Sequence, residues 1–251
     1  MIRDKSRTIV LLHAYPLDRT MWFEQIDFLS AHNCRVIAPN LLANASESSL
    51  PPVTIESMAQ GVGASMDALG IDHATICGLS MGGYVAFEFM RLFPARVRGL
   101  VLAGARAEGP DENEKEMRKT QASQIVREGM NFVADNMLPK LLAPRTFTAK
   151  PEVVARVREI ILRSDARAAA AAQHAMGARV DYSAILSGIA VGTLIIAGSE
   201  DAVRKPDDAR FIQREIPNSQ LEIIEQAGHL MNMEQPRTFN DILLDFLNSL
   251  D

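Results

Sequence analysis

The sequence is poor in cysteine. Two, Cys34 and Cys77, stand among 251 residues, too few for a disulfide framework. Both fall in strand-like runs and are expected as buried, reduced thiols. An excess of one charge is lacking too: 26 Lys and Arg against 31 Asp and Glu leave a formal net charge of −5, mixed along the chain. That excludes the basic stripe of a nucleic-acid-binding protein. No apolar run approaches the roughly 18 residues of a membrane-spanning helix. The opening "MIRDKSRTIVLLHAYP" has a charged start, but its apolar run covers only Thr8 to Leu12, shorter than a secretory leader needs. Internal repeats are absent. These absences lead to the expectation of a cytoplasmic protein with no membrane and no nucleic-acid partner.

What the chain does have is apolar residues in short bursts. They make up 47% of it, enough to bury the core of one α/β domain carrying an insertion. Six bursts recur between longer helical patterns: "TIVLL" (8–12), "RVIAP" (35–39), "ATIC" (74–77), "GLVLA" (99–103), "TLIIA" (193–197) and "LEIIE" (221–225). Continuous rather than alternating apolarity predicts strands buried on both faces, hence a doubly wound parallel sheet with helices on either side. One connection, 107–190, is far longer than a crossover requires. It holds "PEVVARVREIILRS", with Val153, Val154, Val157, Ile160 and Ile161 on one face and Pro151 at a helix start. It also holds the alanine-rich "DARAAAAAQHAMGAR" and an acidic-headed stretch from Asp111 that reads as one or two helices. The division expected is a core of 1–106 and 191–251 with a helical cap inserted at 107–190.

The third strand runs into glycines: "ATICGLSMGGYVAFEF". A dinucleotide fingerprint needs G-x-G-x-x-G, and Gly78, Gly82 and Gly83 do not supply it. A P-loop needs Lys and Ser or Thr where Tyr84 and Val85 stand. G-x-S-x-G does fit, from Gly78 through Ser80 to Gly82, and in strand–turn–helix context this motif presents a nucleophilic serine on a sharp turn. An unassisted hydroxyl is a poor nucleophile, so Ser80 needs a base. Of five histidines, His32, His73 and His174 read as surface or packing residues, and His13 as a structural hydrogen-bonding group. His229 follows the last strand, at the end of the sheet where ligands bind. The imidazole needs a carboxylate to hold its tautomer. Asp201 in "GSEDAV" is the choice, Glu200 beside it is expected to face solvent, and Asp111 is the alternative. Oxyanion donors are expected from the amides of Met81, just after the nucleophile, and Tyr15, in the loop after the first strand.

"HAYPLDRTMW", "GLSMGG", "GSED" and "AGHLMNMEQP" occur in the order found in α/β-hydrolases. From about Thr8 to the C-terminus the chain resembles that superfamily, and within it small bacterial carboxylesterases and 3-oxoadipate enol-lactonase-like proteins. "MLPKLLAP" and "NMEQP" point the same way. Three departures stand out. Ala14 replaces the glycine usual after the oxyanion-loop histidine, adding a methyl near the acyl site. "PNLLANASESS" replaces a glycine-rich turn, with Asn44 as the candidate left-handed residue. The usual N-terminal antiparallel strand pair has no counterpart, so six parallel strands in the order 2-1-3-4-5-6 are expected. The second strand is then an open edge unless a dimer covers it, and both a monomer and a homodimer fit.

The resemblance implies a serine ester hydrolase that acts on a small ester or lactone through an acyl-enzyme, with no metal or organic cofactor. Enol-lactone, carbon–carbon bond hydrolysis and cofactor-free perhydrolysis use the same triad, and a non-catalytic small-molecule receptor is the distant alternative. Tyr15, Ala14, Trp22, Met81, Leu230 and Met231 are candidates for an apolar acyl pocket. Arg106 and Arg204 are candidates to receive a substrate carboxylate.

Overall fold

The six apolar bursts become six strands of one sheet in the computed structural model, which describes residues 7–42 and 52–250. They are β1 (Arg7–Leu12), β2 (Cys34–Ile37), β3 (Ala74–Leu79), β4 (Val97–Ala103), β5 (Thr193–Gly198) and β6 (Ser219–Ile224). The spatial order is β2-β1-β3-β4-β5-β6, and every neighbouring pair runs parallel. The expected order and orientation are both found. Burial follows position: β3 and β5 are buried at every residue, whereas the edge strands β2 and β6 keep exposed or half-buried positions. The turn in which Asn44 was expected to take the left-handed conformation lies outside the described residues.

The helices of the core are α1 (Phe23–Ala31), α2 (Ile55–Ala68) and α3 (Met81–Leu92), which precede the insertion. The chain moves one way across the sheet from β1 to β2 and the other way from β2 to β3. With right-handed crossovers this reversal puts α1 and α2 on opposite faces and opens a crevice between β1 and β3. Ser80 follows β3 directly, and the loop that carries Tyr15 follows β1. Topology alone therefore brings the two together.

Between β4 and β5 the chain is helical: α4 (Glu112–Leu141), α5 (Thr146–Ala149), α6 (Pro151–Arg163) and α7 (Ala166–Gly177). Asp111 caps α4 by accepting the Glu114 amide, and Asp165 caps α7 by accepting the Ala168 amide. Gly129 breaks α4, with φ +77° and ψ −173°, which resolves the reading of one or two helices into two segments meeting at a glycine. On α6, Val157, Ile160 and Ile161 are buried while Val153 and Val154 are half-buried. The alanines of α7 have a packing reason. Ala168, Ala169, Ala172 and Ala175 are buried, and their small side chains let α7 lie close along α4. The remaining helices α8 (Pro206–Glu215), α9 (Met231–Glu234) and α10 (Pro236–Ser249) complete the core, with α10 packed on α1. Among the described residues no helix is long and apolar enough to cross a membrane.

The α4–α7 contact predicts a sharp contrast. Ala172→Leu, at a fully buried position, should destabilise the fold by about 1–3 kcal/mol through overpacking. Ala171→Leu, half-buried on the same helix, should stay within about 0.5 kcal/mol of wild type. Urea unfolding of both variants measures the difference.

Candidate active site

The turn from β3 into α3 is held by backbone contact. A Cβ on Gly78 would lie 2.1 Å from the Gly82 carbonyl oxygen, and one on Gly82 would lie 2.1 Å from the Leu12 carbonyl oxygen. No side chain fits at either place, and this is what G-x-S-x-G encodes. Ser80, between them, sits at φ 57° and ψ −109°, a positive-φ conformation that costs a non-glycine residue of order 1–3 kcal/mol. Its backbone is fixed on both sides: the amide donates to the Ala103 carbonyl at 2.9 Å, and its own carbonyl accepts the Gly83 amide at 2.9 Å. The side chain is left facing a cavity of about 180 Å³.

His229 lines the same cavity. Its Nδ1 lies 2.7 Å from Asp201 Oδ2, and both side chains are almost fully buried. The other carboxylate oxygen, Oδ1, accepts the amides of Val203 and Arg204 at 2.7 and 2.8 Å. With both oxygens thus engaged, Asp201 holds the imidazole with Nδ1 protonated and Nε2 as the free acceptor. Nε2 is buried and has no hydrogen-bond partner. Gly104, with φ +50°, passes beneath the ring, and a Cβ there would be 3.0 Å from His229 Cε1. Glu200 is exposed, and Asp111 is occupied as the α4 cap.

The backbone amides of Tyr15 and Met81 have no acceptor among the described residues. Met81 opens α3, where the first amides have no partner inside the helix. The loop carrying Tyr15 is anchored by His13, which is fully buried; its Nε2 accepts the Leu41 amide at 2.9 Å, and its Nδ1 lies 3.1 Å from the Ala14 carbonyl. Burial pushes the His13 pKa down, consistent with a neutral ring in a structural role. The Tyr15 phenol, pushed up to about 12 by burial, is uncharged and forms part of the cavity wall.

The rest of the wall differs from the apolar pocket expected. Ala14, Trp22, Met81, Leu230 and Met231 are completely buried and do not line the cavity. Trp22 instead packs on Phe239, with ring centroids 6.0 Å apart. Arg106 does not line it either, because its guanidinium turns to Glu108 and Glu114. Arg204 does line it, donating to Tyr84 Oη at 2.6 Å. Further wall residues come from the insertion: Met117, Arg118, Gln121, Met137, Lys140 and Leu141 of α4, and Gln173 and Met176 of α7. Sequence reasoning did not assign these to the wall; "MLPKLLAP" spans Met137, Lys140 and Leu141, and no local motif marks the others.

Three of the lining residues, Arg118, Lys140 and Arg204, carry positive charge, and none carries a carboxylate. Arg118 is held from behind. Its Nε and Nη2 donate to Glu114 Oε1 at 2.9 and 2.8 Å, and Nη1 donates to Gln173 Oε1 at 2.9 Å. Arg179, fully buried, also donates to Glu114 and lies 4.3 Å above the Tyr84 ring. Burial raises the Glu114 pKa, but the hydrogen bonds from Arg179 and Arg118 outweigh it and hold the group at about 2. A carboxylate depressed from its ordinary 4.5 contributes stability above that value and loses it as pH falls through the folded one. Glu114→Gln should therefore be clearly less stable than wild type at pH 7, and the gap should narrow as pH falls from 4.5 towards about 2. Urea midpoints across that range check it.

Comparison with known proteins agrees with this architecture. A family model described as the alpha/beta hydrolase fold matches residues 7–236. The chain is 29% identical over 222 residues to 3-oxoadipate enol-lactonase 2 of Acinetobacter baylyi, covering 88% of this chain and 81% of that protein. Among solved structures, a thermophilic esterase from Thermogutta terrifontis with malate bound superposes with a TM-score of 0.93 at 37% identity, over 98% of this chain and 90% of that one. The enol-lactonase from Burkholderia xenovorans gives 0.87 at 28% identity, over 97% and 92%. With a family-model match that runs from β1 to the start of α10, the chain belongs to the α/β-hydrolase family.

Proposed function

We propose that the protein is a serine hydrolase of carboxylic esters or lactones, working through an acyl-enzyme. The observation that carries the reading is the His229 imidazole, fixed on Asp201 at 2.7 Å with its buried Nε2 unpartnered, in the same cavity as Ser80. A general base needs an acceptor atom that no other donor occupies, near the proton it takes, and Nε2 is such an atom in the cavity that Ser80 also lines.

In this reading Nε2 takes the proton of Ser80 as Oγ attacks the carbonyl carbon. The negative charge moves to the carbonyl oxygen, where the amides of Tyr15 and Met81 stabilise it. Asp201 stabilises the imidazolium so formed without itself taking the proton. Collapse of the intermediate breaks the bond to the leaving oxygen, and His229 returns the proton to it. Water, deprotonated by the same nitrogen, then releases the acid and restores Ser80. Every step uses groups of this chain and water.

The substrate favoured by the wall is an ester or lactone whose acid bears a second carboxylate. Arg118, Lys140 and Arg204 line the cavity and no carboxylate does, and a guanidinium binds a carboxylate in a directed, charge-assisted way. The names of the relatives, an enol-lactonase and an esterase with malate bound, fit that choice.

Initial rates with p-nitrophenyl esters from acetyl to octanoyl test the chemistry. Ser80→Ala should lower kcat by a factor on the order of 10⁴ or more, and equal rates in the variant would end the serine mechanism. For the substrate class, Arg204→Ala should raise KM for mono-p-nitrophenyl succinate by roughly 10- to 100-fold, the loss of one charge-assisted hydrogen bond. KM for p-nitrophenyl butyrate should stay within about twofold. A matching rise for both esters would leave Arg204 no part in carboxylate recognition.

A further inference from the structure

Five residues beyond His229, in α9, stands a glutamate that the mechanism does not use. Glu234 is 1% exposed, and a buried carboxyl group is tolerated only if its oxygens find donors. Oε1 accepts the Gly228 amide at 2.8 Å. Oε2 accepts the Ala143 amide at 2.8 Å and faces the Thr146 hydroxyl at 2.5 Å. Gly228 immediately precedes His229, whereas Ala143 and Thr146 belong to the turn from α4 into α5. The carboxyl group thus sits between the histidine loop and the insertion, with one oxygen on each.

A second link lies beside it. The Leu230 amide, just after His229, donates to the Leu141 carbonyl at 3.0 Å, and Lys150 Nζ donates to the Glu234 carbonyl. His229 is therefore tied to the end of α4 on both its chain neighbours, Gly228 and Leu230. The contact is close: a Cβ on Gly228 would lie 2.5 Å from the Ala143 nitrogen. That same end of α4 supplies Met137, Lys140 and Leu141 to the cavity wall.

We propose that Glu234 is a positioning residue: it makes the wall contributed by the insertion and the His229 loop one mechanical unit, and so sets the imidazole against Ser80. The assignment rests on His229 being the base. In either protonation state each Glu234 oxygen accepts one amide, so an amide side chain cannot replace it. Whichever way a glutamine is turned, its NH₂ meets the N–H of Gly228 or of Ala143. Aspartate keeps the carboxyl group but is one methylene too short to serve both.

The test uses the full chain with Glu234→Gln, Glu234→Asp and, as a remote core control, Leu243→Ala of α10. The readouts are kcat and KM for p-nitrophenyl butyrate, thermal unfolding, and the low-field proton resonance of His229 Nδ1–H on Asp201. Both Glu234 variants should lose roughly 10- to 100-fold in kcat, the effect of a displaced catalytic group. KM should stay within about threefold, and the low-field resonance should shift or broaden. Leu243→Ala should lower the melting temperature while keeping kcat and the resonance. The proposal is overturned if a folded Glu234 variant loses stability alone, as the core control does, with kcat and resonance unchanged. Should Glu234→Gln not fold, Glu234→Asp decides by the same criteria. If wild type shows no serine-dependent turnover, the base assignment fails separately, and the resonance alone then decides whether Glu234 places the ring.

Discussion

The site depends on one steric constraint, the contact of bare backbone where β1, β3 and α3 meet. The Leu12 carbonyl and the Gly82 Cα are so close that a single methyl would overlap the oxygen. From this contact follow the sharp turn at Ser80, its positive φ, and the start of α3 immediately after it. The strain at Ser80 is sustained because the surrounding backbone hydrogen bonds leave it no alternative. A looser junction would let the serine relax into an ordinary turn, and its hydroxyl would no longer stand at the cavity.

Around this rigid centre the protein arranges charge. Asp201 is engaged by two backbone amides as well as by His229, so the imidazole is held by a group that cannot itself swing away. On the other wall, Glu114 gathers Arg106, Arg118 and Arg179. One half-buried carboxylate thus organises three guanidinium groups at and behind the cavity wall, while Arg204 is steadied by the neutral hydroxyl of Tyr84. Positive charge at the wall is left uncompensated by any acid in the lining, and a low-dielectric cavity makes such an imbalance felt over its whole width.

The insertion links the two. Its helices are packed through small alanines and an arginine–glutamate network, and the end of α4 is joined to the histidine loop through Glu234 and Leu141. The cavity is therefore bounded by two pieces of chain far apart in sequence, connected by the Leu230–Leu141 backbone hydrogen bond and by the Glu234 carboxyl group.

Much of the fold was legible in the sequence because its signals are local. A parallel strand buried on both faces must be continuously apolar, and the six bursts declared themselves in that way. The glycines of the Ser80 turn were legible for the same reason, since a backbone contact admits one residue type. That His229 and Asp201 would meet was legible because each lies in the loop after a strand, at the end of the sheet where a crevice opens. The cavity wall was not legible. Trp22, Leu230 and Met231 have the composition of a pocket but the surroundings of a core, and hydrophobicity alone does not distinguish the two. Arg118, Lys140 and Gln173 are polar helix residues whose side-chain type alone assigns them to no pocket. Only the packing of α4 and α7 over the crevice turns them inward, because which face of a helix meets a distant neighbour depends on contacts that no short stretch of chain contains.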